Sequence, residues 1–463
     1  MVRTNFLRGR GKILIYGLLR FLLGTAVGIF FRRIEVEGIE NVPDTGPVLL
    51  LPNHPNALVD ALVILMQIKR PVSLTAKSTL ADNALLKFFI RTSKVILLHR
   101  KQDAELGADR SRNLNALEEC QKRLNQGAAI CLFPEGQSHS DPSLRPFRWG
   151  AARIALEFTQ TRVSSETLKI IPVGLNFLRK DRFRSDVWVR FGEPIDIGLW
   201  IADHPRDGPT ELTAEIERHV RNLTLNFERR RDSILMDWAA ELLATGGLPP
   251  VPIGQEREDV SSHVSMVRLI RDGYEDLKEK KAMEIEKLRS RIIHYRLELR
   301  RSGIAPAEVY ILMTAWRAFF FVIQETTVLL VGLPIAAWGV INHFFPALIV
   351  RGVAGKLTTE KDQWASNTIF PAIVVFPFFY IIQLTLAWLY LTPLLASIYM
   401  MMLPISGYAA VRYRDRAGGT WRRSRTFIRF LFNPHLQAHL ADEGRQIIKK
   451  IQMLGEELQE DRE

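Results

Sequence analysis

Two stretches without a single Asp, Glu, Lys or Arg constrain this chain more than anything else in it: Thr326 to Val350, and Gln363 to Val411. A helix of about 20 apolar residues crosses a bilayer, and a helix buried in a soluble core rarely stays uncharged for so long. The sequence therefore predicts a membrane-embedded region over 313–411. The second stretch is long enough for two spans, at 367–389 and 392–411, divided near Thr392 and Pro393. Gly332, Pro334, Gly339 and Pro346 interrupt the first, so 326–350 is expected to be re-entrant or to lie in the interface. The basic stretch "RYRDRAGGTWRRSRTFIR" follows directly on Val411 and reads as cytosolic. If the region before the membrane is cytosolic too, the number of crossings is even; three spans would place one end outside.

Lys and Arg number 62 against 50 Asp and Glu, a formal net charge of +12 that suits an anionic partner. Its distribution favours a phospholipid membrane. No acid precedes Glu35, and Arg3, Arg8, Arg10, Lys12, Arg20, Arg32 and Arg33 bracket or interrupt the apolar segment "ILIYGLLRFLLGTAVGIFF". Residues 1–34 are accordingly expected to form an amphipathic membrane helix that lies in the interface with Arg20 snorkelling to water, or that dips into the bilayer and out again. No zinc-finger spacing, RNP-type aromatic motif or basic zipper supports nucleic-acid binding. Cys120 and Cys131 have no C-x-x-C spacing, which points to a reducing compartment, with Cys131 in "AAICLF" a small core residue.

Over 35–205, short apolar runs alternate with amphipathic stretches of helical length. Strands are predicted near "PVLLLPN", "PVSLTA", "SKVILLHR", "AAICLFPEG", "KIIPVGLNF" and "VWVRFGEPI", with a helix in "AELGADRSRNLNALEECQKRLNQG" that Gly127 ends. This alternation predicts an α/β domain with a buried sheet, whose loops beyond the strand ends carry the chemistry. Residues 206–312 are densely charged at helical spacing and are expected to form helices with solvated faces; 412–463 are expected to be a basic cytosolic tail.

The stretch "LLLPNHPNALVD" sets His54 after a predicted strand and Asp60 on the helix that follows. A carboxylate bonded to one ring nitrogen fixes the tautomer and leaves the other nitrogen as a base. Downstream, "LFPEGQSHSDP" predicts a turn after a strand, presenting backbone N–H groups near Gly136, the Ser138 hydroxyl and the Glu135 carboxylate toward one cleft. Arg100 closes "VILLHR", and Arg145 and Arg148 precede a helix, a set of guanidinium groups suited to phosphate oxygens.

In chain order, "NHPNALVD", "VILLHR", "FPEGQSH" and "IIPVGLNF" resemble the four blocks of the glycerolipid acyltransferase family, which contains glycerol-3-phosphate, dihydroxyacetone-phosphate and lysophosphatidate acyltransferases. The resemblance covers about 35–200, and the longer run "FPEGQSHSDPSLRPFRWGAARIAL" is most similar to the subgroup acylating glycerol-3-phosphate or dihydroxyacetone phosphate. It implies an α/β acyltransferase domain, which the composition sets beside an N-terminal amphipathic membrane helix, a charged helical region and a C-terminal transmembrane region. The family's usual block has four residues between His and Asp, where this chain has five. On a continuous helix the extra residue would rotate Asp60 by about 100°. Pro55 puts His54 ahead of the helix, so the loop is expected to take up the difference.

What the resemblance implies is a membrane-bound O-acyltransferase of phospholipid biosynthesis, its catalytic domain facing the cytosol. It would move an acyl group from acyl-CoA or acyl carrier protein to glycerol-3-phosphate or dihydroxyacetone phosphate. No further cofactor and no metal are expected. His54 and Asp60 would be catalytic, Arg100 with Arg145 or Arg148 would hold the acceptor phosphate, Glu135, Gly136 and Ser138 would line the acceptor site, and Pro172 would shape the acyl wall. A 1-acylglycerol-3-phosphate acceptor is the alternative. A rival of another class is a catalytically inactive membrane scaffold. A serine hydrolase is disfavoured because Gly136-Gln137-Ser138-His139-Ser140 is not G-x-S-x-G. His435 and His439 fall on one helix face, but the pair is read as incidental rather than as a metal site.

Overall fold

The computed structural model describes residues 17–18, 20–77, 95–98, 109–162, 166–246, 260–310 and 315–460. The chain divides into two compact units, Met1–Asn226 with Val350–Val374, and Phe227–Ile349 with Val375–Glu463.

In the first unit, α1 (Arg20–Phe30) gives way directly to β1 (Phe31–Glu37). The apolar N-terminal segment thus continues as a strand, paired in parallel with β7 (Ser185–Phe191), and Arg32 forms an ion pair with Asp186. Arg20 does not snorkel. Its guanidinium donates to the carbonyl oxygens of Leu65 at 3.0 Å and Ile68 at 2.6 Å, satisfying acceptors at the C-terminal end of α2 (Leu58–Gln67).

The sheet runs β1-β7-β6-β2-β5-β3-β4, with β2 (Val48–Pro52) near its centre between β5 (Ala129–Cys131) and β6 (Lys169–Phe177). β3 (Val72–Lys77) and β4 (Ile96–Leu98) complete one edge, and β8 (Ile195–Asp196) pairs with β6 beside β7. All pairings are parallel except those of β6 with β7 and β8. Because alternate side chains of a strand point to opposite faces, the unbroken apolar run of β2 feeds two cores. Val48 and Leu50 pack with α1, α2, Ala365 and Ile369; Leu49 and Leu51 pack on the opposite face with α3 (Asp109–Asn125), α4 (Gly150–Thr161), α5 (Ile197–Asp203) and α6 (Pro209–Leu223). Each fully buried Leu contributes roughly 1.5–3 kcal/mol, so the registry of β2 is strongly fixed. Gly127, at φ +71°, ends α3 in the left-handed conformation expected of it.

The second unit gathers α7 (Arg230–Gly246), α8 (Val260–Lys280), α9 (Ala282–Ser302) and α10 (Pro306–Val309). Three long helices follow: α11 (Ala315–Leu357), α12 (Trp364–Tyr390) and α13 (Pro393–Phe432). The last helix is α14 (Pro434–Glu460). The charged helices hide an apolar stripe, since Leu235, Leu242, Tyr295, Leu299 and Val309 share one core with Phe430, Leu440 and Ile447.

By length and composition, three helices are suited to cross a membrane: Phe319–Leu357, Lys361–Tyr390 and Pro393–Phe432. The break expected near Thr392 is present, with the Thr392 side chain capping α13. The interruption expected at Pro334 and Pro346 is absent, because α11 runs unbroken through both. The carbonyl of Asn342, four residues before Pro346, accepts instead from the Gln383 side chain at 2.8 Å. Gly339 meets the backbone of Ser406, where a Cβ would come within 2.1 Å of the carbonyl oxygen. Glu325 accepts from Arg416 at 2.8 and 3.0 Å and from Thr420 at 2.8 Å, and Tyr399 donates to Asn342 at 2.5 Å. The chain leaves the second unit's core after Val309 and rejoins it at Phe430 and Leu440.

Candidate active site

β2 and Asn53 deliver His54 to the edge of the sheet. The buried Asn53 side chain donates to Leu175 O at 3.1 Å and accepts from Leu175 N at 2.7 Å, so an amide continues the pairing of β2 with β6 by one rung. The chain then turns through Ala57, at φ 48° and ψ −134°, before α2 begins at Leu58. A non-glycine residue there carries strain of order 1–3 kcal/mol, which its surroundings must outweigh. Asp60 in the first turn of α2 supplies part of that restraint, accepting the Asn56 N–H at 2.7 Å and the His54 ring N–H at Nδ1 at 2.9 Å through the same oxygen. The extra residue is thus taken up in non-helical chain between His54 and Leu58, and the helical phase argument does not apply.

Asp60 is wholly buried, and burial pushes its carboxyl above the ordinary value of 3.8. The His54 bond and charge, the Asn56 N–H and the charge of Lys180 oppose that rise. Because a carboxylate only accepts, Nδ1 of His54 carries the hydrogen and Nε2 presents its lone pair. The ring stacks on Phe133, centroids 3.9 Å apart, and its side chain retains 15% exposure.

The turn after β5 faces His54. Glu135 is its hub: one oxygen accepts the His54 main-chain N–H at 2.7 Å, and the other accepts the Arg145 N–H at 3.1 Å and the His139 ring. His139 Nδ1 accepts from Asp141 N at 3.2 Å, so Nε2 is the atom that donates to Glu135. His139 N donates to His54 O at 3.2 Å, closing the link between the two loops. The Glu135 carboxylate is thus buried among protein donors.

Gly136, at φ +76°, lies beneath the Arg148 side chain, where a Cβ would stand 2.9 Å from Nε. Its own N–H donates to Phe133 O at 3.0 Å, which removes it as an oxyanion donor. Arg145 donates to Asp141 at 2.7 Å, and that pairing holds the Asp141 carboxyl below its ordinary value. Arg148 is exposed, with its main-chain N–H on Pro134 O at 2.9 Å. Ser138 is half-buried in the same turn. Pro172 stands inside β6 opposite Leu51, where the neighbouring strand changes from β8 to β7. Its carbonyl accepts from Gly192 N at 2.8 Å, and its missing N–H falls at that changeover. Arg100 lies outside the described residues.

Sequence reasoning singled out neither Phe133, His139 nor Lys180 as part of the site. His139 carried a signal, four residues after Glu135 in the same motif; Lys180 carried none. Cys131 is buried, its thiol pushed up by burial and by the nearby Asp60 charge; burial also pushes Cys120 up, to about 11. The structure does set an acid beside the C-terminal histidine pair, with His439 3.2 Å from Glu298, yet no cluster of three metal-ligating side chains occurs among the described residues.

Residues 33–176 match the Acyltransferase family. An uncharacterized acyltransferase of Schizosaccharomyces pombe is 25% identical over 265 residues, 40% of this chain and 39% of that protein. Glycerol-3-phosphate O-acyltransferase 2 of Saccharomyces cerevisiae is 28% identical over 117 residues, 25% of this chain and 15% of that protein. The chloroplastic 1-acyl-sn-glycerol-3-phosphate acyltransferase LPAT1 of Arabidopsis thaliana is 27% identical over 158 residues, 33% of this chain and 42% of that protein. The matches thus span less than half the length of each of these relatives.

Proposed function

Residues 33–176 form an acyltransferase-family domain, and from that premise we propose that the protein is a membrane-bound O-acyltransferase. It transfers a fatty acyl group from an acyl thioester to a hydroxyl of glycerol-3-phosphate or dihydroxyacetone phosphate. The observation that carries this reading is the 2.9 Å bond from His54 Nδ1 to a fully buried Asp60, which leaves the Nε2 lone pair free of that bond on a side chain that keeps 15% exposure.

In the proposed reaction, Nε2 takes the proton of the acceptor hydroxyl as its oxygen attacks the thioester carbonyl. The tetrahedral intermediate collapses with cleavage of the C–S bond, and the imidazolium returns the proton to the departing thiolate. Asp60 stabilises the imidazolium and fixes the ring; no enzyme-bound acyl group is needed. Arg148 holds the acceptor phosphate, because Arg145 is already paired with Asp141. The catalytic domain faces the cytosol, where acyl-CoA or acyl carrier protein is found. The acceptor 1-acylglycerol-3-phosphate is the second reading, favoured by the similarity to LPAT1.

The test supplies purified protein in lipid nanodiscs with one acyl thioester and a panel of the three acceptors. Acyl transfer lost in His54→Ala, and an acceptor KM raised about tenfold or more in Arg148→Ala with the donor KM unchanged, support the reading. Equal incorporation by wild type and His54→Ala refutes it and leaves a membrane scaffold.

A further inference from the structure

Resting on the acyl-transfer reading, we propose that Lys180 is a positioning residue for the His54–Asp60 pair: it clamps the two loops of the site together and supplies the positive charge that balances their carboxylates. Lys180 lies in the loop between β6 and β7, half-buried and remote in sequence from both loops. Its ammonium donates to Pro55 O at 2.6 Å and to His139 O at 3.0 Å. Pro55 directly follows the base, and His139 holds Glu135, which in turn holds the main-chain N–H of His54. One side chain from a third segment therefore fixes the spacing between the loop bearing His54 and the loop bearing Glu135.

Two carbonyl groups need only hydrogen-bond donors, which a neutral amide supplies. A partly desolvated ammonium is costly unless its charge is used. The ionisable groups of the site are His54 and Asp60 from the helix-entry loop, Cys131 from β5, and Glu135, His139, Asp141 and Arg145 from the following loop. Three of these are carboxylic acids, and the Lys180 charge draws Asp60 and Asp141 toward their ionised forms. Without that cation, the His54–Asp60 pair binds its proton more tightly, so the neutral imidazole is reached only at higher pH.

The experiment compares wild type, Lys180→Gln and Lys180→Arg as full-length protein in nanodiscs. Carbethoxylation of His54 by diethylpyrocarbonate is followed by peptide mass spectrometry against pH, with His54→Ala as the background, and kcat/KM is measured over the same range. In Lys180→Gln the midpoints of both profiles are expected to move up by about half a pH unit, and Lys180→Arg to restore them. An unchanged midpoint in Lys180→Gln overturns the proposal, even if activity falls. If Lys180→Gln does not fold, Lys180→Cys alkylated with an ethyl or an aminoethyl group gives the same comparison, the ethyl form taking the higher midpoint. Carbethoxylation needs no turnover, so a protein that acylates none of the acceptors would refute the acyl-transfer reading while the Lys180 result still stands or falls by itself.

Discussion

The carboxylate of Glu135 accepts the main-chain N–H of His54 at 2.7 Å, so the acid of the third block is a fastening for the first. Its other oxygen is engaged by His139 and by the Arg145 N–H. Glu135→Gln would turn an amide N–H₂ toward at least one of these donors, leaving a buried group unsatisfied at a cost of about 1–3 kcal/mol. The expected outcome is a lower melting temperature and a lower kcat with little change in acceptor KM. A raised acceptor KM at unchanged melting temperature would instead put Glu135 on the acceptor.

Asp60→Asn separates activity from stability. Losing the acceptor-only partner lets the His54 ring take the wrong tautomer, and kcat is expected to fall by about 10²- to 10⁴-fold. The sign of the stability effect follows from the raised carboxyl of Asp60. Above 3.8, and up to its folded-state value, the folded protein holds a proton that the unfolded chain has released, so wild-type stability declines as pH rises through that window. The asparagine variant has no such term. Its melting temperature relative to wild type should rise from pH 4 upward and then level off, as scanning calorimetry or a dye-based melt would record; a difference that shrinks with rising pH contradicts the assignment.

The shared core of Val309 with Phe430 and Leu440 makes a topological prediction. Cys120 and Cys131 are buried, which leaves a low labelling background. Met283, 71% exposed on α9, and Met453, 41% exposed on α14, are suited to single cysteine substitution. In sealed vesicles, Met283→Cys and Met453→Cys are expected to react with a membrane-impermeant maleimide from the same side. Labelling from opposite sides would mean an odd number of passages between them.

Most of the sheet is legible in the sequence because its strands are apolar on both faces and stand between turn residues; "KIIPVGLNF" coincides with β6 from end to end. β1 is not legible, because Phe30 and Phe31 continue the apolar helix and only the pairing of β1 with β7 decides where the helix stops. Arg20 misleads for a related reason: an arginine amid leucines reads as a membrane-surface residue until the carbonyl groups at the end of α2 are in place to receive it. In the site, the proximity of His54 and Asp60 is legible from local spacing. Lys180 is not, since its bonds join segments that only the tertiary fold brings together. Pro334 and Pro346 suggest a broken helix, yet α11 passes through both, and at Pro346 the freed carbonyl of Asn342 is met by Gln383 of α12.

The station of His54 beyond a strand that fills two cores sets where the chain tolerates a change in length. A residue inserted between Val48 and Asn53 would exchange the two sets of leucines and swing the base to the other face of the sheet. The same insertion between His54 and Leu58 would only lengthen an irregular bend. Variation in the number of residues separating base and acid is therefore confined to that bend, and enzymes built on this plan can differ there while keeping the same chemistry.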